Sequence, residues 1–205
     1  MSQVELLSPV HRFIMPSCSG TRGSLHTGGL LFNRVQHFLT VWQQESAQTA
    51  RVLECITDES LSQPVAPGHR TLGELAWHLT TALQEIAGKT GLHFDGPGNA
   101  VAPPATAQAL GGAYVCAARC LAEAMAKNWT DETLSECHEV YGMQWENGAT
   151  LMVMLHHEIH HRGQMTVLMR QAGLKLPGVY GPSAAEPSEQ SLRHQNEASK
   201  LHQTP

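Results

Sequence analysis

His156-His157-Glu158-Ile159-His160-His161-Arg162-Gly163-Gln164 places four histidines within positions 156 to 161. The stretch lies inside a helix-periodic run from Thr150 to Ala172, which Gly173 closes as a C-terminal stop. On a helical wheel Thr150, Met154, Gln164, Leu168 and Ala172 fall within roughly 80° of arc, with His157 and His161 in the middle of it. Those two imidazoles stand one turn apart and point inward. His156 and His160 fall roughly 100° to one side, near Met152, Gly163 and Val167, and read as rim groups, hydrogen-bond partners behind the metal ligands or helix contacts. A buried imidazole whose ring nitrogen lacks a partner costs about 1–3 kcal/mol, and a shared divalent cation removes that penalty for both rings.

Upstream, Leu31 opens a long amphipathic helix. Val35, Phe38, Leu39, Trp42, Ser46, Ala50, Leu53 and Ile56 recur along it at helical steps. After a Pro/Gly connection, Thr71-Leu72-Gly73-Glu74 has the form of a capping box and starts a second helix running to about Ala87. Its apolar face carries Leu75, Leu79, Ala82, Leu83 and Ile86, and His78 falls among them. The spacing therefore predicts a third inward imidazole. The Gly- and Pro-rich segment from Gly88 to Pro104 is long for a simple connection and reads as a crossover or functional loop. A third, alanine-rich helix follows from Ala105 to about Lys127, with Leu110, Tyr114, Ala117, Leu121 and Met125 on one side.

No internal repeat and no convincing strand emerges, and Tyr141 to Gly148 reads as loop. Four helices with a long middle connection predict an all-α antiparallel bundle. Residues 1–30 are turn-rich and aperiodic, an irregular extension outside the domain. Residues 183–205 read as a disordered polar tail, leaving 31–182 as the folded unit.

Adding His78 to His157 and His161 gives three nitrogen ligands on two helices, the composition of an open catalytic metal site. Such a set suits zinc, nickel, cobalt or iron, and ligand softness alone does not choose among them; zinc or nickel is the expected cofactor. At this point a resemblance appears. Glu74-Leu75-Ala76-Trp77-His78-Leu79, then His157-x-x-x-His161-Arg162-Gly163-Gln164, then Leu168-Met169-Arg170-Gln171-Ala172-Gly173 resemble the signature of the DinB/YfiT-like metalloproteins over residues 31–182. That resemblance implies an up-down-down-up four-helix bundle, frequently a homodimer, holding one divalent metal ion through His78, His157 and His161. It also implies metal-dependent transferase or isomerase chemistry in which a low-molecular-weight thiol, or water, is activated.

A competing pattern is present, because His157-Glu158-Ile159-His160-His161 is a literal H-E-x-x-H, the zinc metalloprotease motif with glutamate as general base. The longer metzincin form fails at Gln164 and Val167, and the later candidate ligands Glu186, Glu189 and Glu197 lie in the polar tail. Glu158 reads instead as a solvated or inter-helix carboxylate paired with Arg162 four residues on. Arg162 could alternatively hold an anionic substrate or a subunit contact, and Gln164 could hydrogen-bond a ligand imidazole. Trp77 and Trp145 could wall a pocket, although tryptophans are more often core. A non-enzymatic stress-response bundle with an incidental metal is the remaining reading.

Composition narrows the partners. A formal charge of −5 and only 15% charged residues give no basic field for phosphates, so nucleic acid is not expected. A small-molecule substrate is. No apolar run approaches the about 18–20 residues of a membrane span, and no signal-peptide core precedes the domain, so a cytoplasmic protein is expected. Five cysteines, Cys18, Cys55, Cys116, Cys120 and Cys137, suggest no paired framework and fit a reducing compartment. Cys116 and Cys120 could offer two thiolates to a metal, but we read them as small buried packing residues.

Overall fold

The structure, a computed structural model, describes residues 32–98 and 102–183. The expected N-terminal extension and nearly all of the expected polar tail lie outside the described residues. Four helices carry the fold: α1 (Val35–Leu53), α2 (Leu72–Lys89), α3 (Ala107–Asn128) and α4 (Asn147–Gln171). Both α1 and α2 pack against α3 and α4, so α1 lies diagonally opposite α2 and α3 opposite α4. This is the all-α bundle that the four periodic segments require.

Each helix starts where the chain can satisfy its free amides. Thr71 caps α2 through a complete capping box, its hydroxyl accepting from Glu74 N at 3.2 Å while the Glu74 carboxylate accepts from Thr71 N at 2.8 Å. Thr106 caps α3, and Asp58 reaches across to accept from Ala107 N at 2.7 Å. Arg34 provides no side-chain cap for α1, so Asp131 substitutes from the α3–α4 connection, accepting from Val35 N at 2.9 Å.

The core is continuous between the four helices. Phe38 stacks on Trp42 with centroids 6.0 Å apart, and the Trp42 indole donates to the Ala118 carbonyl at 3.1 Å. In the second half of α1 the inward face turns away from the expected Ser46 and Ala50 toward Thr49 and Val52, both fully buried. The helix also ends at Leu53 rather than Ile56. Its expected start at Leu31 lies outside the described residues.

The expectation of no strand is corrected. Strands β1 (Cys137–Val140) and β2 (Met143–Glu146) form an antiparallel hairpin before α4, in register from Cys137↔Glu146 to Val140↔Met143. Tyr141 and Gly142 make its two-residue turn with φ of 51° and 78°, the positive-φ pair that hairpins favour. The strands have only four residues each, too short to register as an alternating pattern. The Tyr141 hydroxyl donates to Glu85 at 3.1 Å, docking the tip on α2. Glu136, just before β1, then accepts from Asn147 N at 2.9 Å, which lets α4 begin at Asn147 instead of Thr150. A side chain at Gly148 would place its Cβ 2.8 Å from the Phe32 carbonyl, so only glycine permits this packing.

One further reading changes. Cys116 is exposed and Cys120 half-buried, so neither belongs to the core. Trp77 and Trp145 are both buried, as core tryptophans are. Among the described residues no helix is long and apolar enough to cross a membrane.

Candidate metal centre

His78 stands in the second turn of α2, and His157 and His161 stand one turn apart on α4, a helix that packs directly on α2. The three rings converge. One nitrogen from each lies within 4.8 Å of the others, and His78 Nε2 and His157 Nε2 are 3.2 Å apart. Zinc–imidazole bonds of about 2.0–2.1 Å at tetrahedral angles put ligand nitrogens about 3.3 Å apart. The observed pair matches that spacing. A hydrogen bond between His78 and His157 alone would account for two rings but not for the third.

The flanking groups fit a ligand set. His161 Nδ1 lies 2.7 Å from Gln164 Oε1, so Nδ1–H donates to the amide and Nε2 keeps its lone pair. Burial, followed by the neighbouring His161 and His78, pushes the His157 imidazole down to about 3. Burial, then Arg70 and His161, pushes His78 down to about 4, and burial also lowers His161. All three rings are therefore neutral near pH 7, the form that coordinates a cation. His156 and His160 are exposed, as their wheel positions predict.

Of the two expected alternatives Glu158 takes the inter-helix one, with Tyr114 and not Arg162 as its partner. It is not solvated and does not pair with Arg162; it is 1% exposed and accepts from the Tyr114 hydroxyl at 2.5 Å. Burial raises its carboxyl to about 7, and Oε2 has no hydrogen-bond partner. A buried carboxylate held by a tyrosine on α3 cannot serve as the general base of a metalloprotease. The H-E-x-x-H match is thus one of spelling.

Arg162 is 2% exposed and committed to structure. It donates to Glu45 O at 2.9 Å, Thr49 Oγ1 at 3.2 Å, Glu45 Oε2 at 2.6 Å and the Tyr180 hydroxyl, while Tyr180 donates to Glu45 Oε2 at 2.6 Å. This network ties α4 to α1 and to the segment beyond α4. Four of its five N–H donors are used in this network, and burial keeps the guanidinium from a substrate. Glu45 and Thr49 escaped the sequence reading because a four-residue polar pair on an amphipathic helix looks like its solvent face. Tyr180 gave no signal beyond lying in a short stub.

A pH dependence follows from Glu158. A carboxyl raised in the fold from 4.5 to about 7 costs the fold nothing below pH 4.5, and stability falls progressively as pH rises from there to about 7. In metal-free protein, Glu158→Gln should leave stability nearly unchanged at about pH 4 and raise it by up to about 3 kcal/mol at about pH 8. Urea unfolding at the two pH values checks this. Equal effects at both would show that the wild-type carboxyl carries no raised pKa.

A separate surface groove of about 490 Å3 runs between α1 and α3, past Gln43, Ala47, Val115 and Ala122. None of the three histidines lines it. The imidazole cluster, identified by its donor set, is the candidate site.

A helical bundle with three convergent imidazoles on two facing helices defines a class of histidine-rich bundle proteins able to hold a metal ion. The chain belongs to the DinB family, whose sequence profile matches residues 31–197. It is 42% identical over 156 residues to the uncharacterized protein YrdA of Bacillus subtilis strain 168, covering 76% of this chain and 93% of that one. The crystal structure of a DinB-like protein from Bacillus cereus ATCC 10987 is similar with a TM-score of 0.71 at 43% identity, covering 73% of this chain and all of that one (100%). The DinB-like protein YjoA of Bacillus subtilis, at 21% identity and a TM-score of 0.56, covers 70% of this chain and 96% of its own and shares the fold.

Proposed function

We propose that His78, His157 and His161 bind one divalent cation, zinc or nickel, and that the protein is an enzyme acting on a small molecule at the open side of that site. The observation that carries this reading is the convergence of three neutral ring nitrogens within 4.8 Å. Among the described residues no fourth His, Cys, Asp or Glu joins the group, and a structural zinc site would need one. When bound, the cation supplies Lewis acidity that lowers the pKa of a thiol or a water. The chain's own residues hold and orient it: Gln164 fixes the His161 tautomer, and the packing of α2 on α4 sets the distance from His78 to the other two rings.

The reaction class that fits is transfer or isomerisation with a low-molecular-weight thiol as co-substrate, or hydrolysis with water as the activated nucleophile. Arg70 is exposed at the start of α2, and its charge acts on all three imidazoles. A substrate with an anionic group is therefore favoured at this mouth.

A screen of small electrophiles against several low-molecular-weight thiols, with and without chelator, tests the reading. Turnover should vanish on chelation, return on adding zinc or nickel, and be absent in His157→Ala. Metal binding without any chelator-sensitive turnover of thiol, ester or amide substrates would favour a passive metal-binding bundle instead.

A further inference from the structure

On the outer face of α3, away from the imidazoles, Cys116 and Cys120 turn their sulfurs toward each other at 4.0 Å. Cysteine is among the most buried residue types, and these two gain nothing from core packing, since Cys116 is exposed and Cys120 half-buried. The separation is about twice a disulfide bond of about 2.05 Å, so the pair is a free dithiol. Two metal–sulfur bonds of about 2.3 Å span at most about 4.6 Å in line, so sulfurs 4.0 Å apart can close on one ion in a bent arrangement. The outer side of that ion stays open. Arg119 lies between them in sequence, its guanidinium 4.0 Å from Cys116 Sγ and 2.8 Å from Glu123 Oε1.

We propose that Cys116 and Cys120 form a second, surface metal site that takes one soft monovalent cation, copper(I). Two thiolates suit a soft ion content with two or three ligands, whereas zinc seeks four and hard cations seek oxygen. Binding displaces one proton from each thiol, so two protons leave and the bis-thiolate copper(I) unit carries one net negative charge. Arg119 is placed to offset that charge. No oxidation state changes.

The test is anaerobic competition of the full-length protein against a chromogenic copper(I) chelator. Wild type should withhold one equivalent, and Cys116→Ser and Cys120→Ser should each weaken that binding by about a hundred-fold or more, because each removes one arm of a chelate. Cys55→Ser, which alters a free thiol outside the pair, should bind as wild type does. Circular dichroism of the serine variants checks that the helices are intact. If wild type withholds no copper, if either serine variant binds within ten-fold of wild type, or if Cys55→Ser also loses binding, the dithiol site is overturned.

Discussion

Replacing His157 with alanine should reduce bound divalent metal from about one equivalent per chain to near none while leaving helical content unchanged. The imidazole contributes a ring nitrogen 3.2 Å from that of His78. It is half-buried at the bundle surface, so its removal leaves two ligands and an opening that water fills. Losing one of three protein ligands removes the chelate rather than trimming it. A graded comparison sharpens the result: Gln164→Ala, which frees the His161 Nδ1–H, should weaken metal binding by about 10–100-fold. His160→Ala changes an exposed ring and should leave it intact. Elemental analysis of tag-free protein after dialysis gives all three values, and metal content unchanged by His157→Ala would remove His157 from the ligand set.

Arg162→Ala should be the most destabilising single change in the bundle, at about 3–5 kcal/mol. The guanidinium is almost fully buried and donates to Glu45, Thr49 and Tyr180. Truncation leaves the Glu45 carboxylate, its side chain only 14% exposed, without a counter-charge. It also frees Tyr180 and the segment after α4. For a domain of this size the loss corresponds to a fall in Tm of roughly 10 °C. Arg162→Lys should recover only part of it, since one ammonium cannot reproduce a planar fork that meets several acceptors. Pairing Arg162→Met with Glu45→Gln should be less damaging than either change implies alone, because the double variant buries no orphan charge. Thermal unfolding of the set checks the account, and additive single effects would refute the pairing.

The same network explains where sequence reading succeeded and where it failed on α4. His157 and His161 were legible because their four-residue spacing falls inside an arc of residues such as Met154 and Leu168, both buried. His78 was legible because a lone imidazole interrupts the apolar face of α2. The most deeply buried stripe of α4, however, runs through Leu151, Leu155, Glu158, Arg162, Met165 and Met169. Two charged residues at its centre cancel the amphipathic pattern, so a wheel built on hydropathy centres on the wrong arc and leaves Glu158 undecided between solvent and an inter-helix contact. Their burial is rational only with partners on other helices, Tyr114 on α3 and Glu45 and Thr49 on α1. Such partners are invisible to local periodicity. The hairpin escaped for a different reason: its turn depends on a positive φ at Tyr141, and tyrosine gives no sign of one. Cys116 and Cys120 misled because cysteine in an alanine-rich helix resembles a small packing residue until the helix is set against its neighbours.

Anomalous diffraction from crystals of metal-loaded protein, collected on both sides of the zinc or nickel absorption edge, addresses the imidazole site without relying on activity. One anomalous peak is expected between α2 and α4, bonded at about 2.0–2.1 Å to ring nitrogens of His78, His157 and His161 and not to the carboxylate of Glu158. A peak bonded to other side chains, or one that leaves His78 out of contact, would contradict the shared three-histidine site.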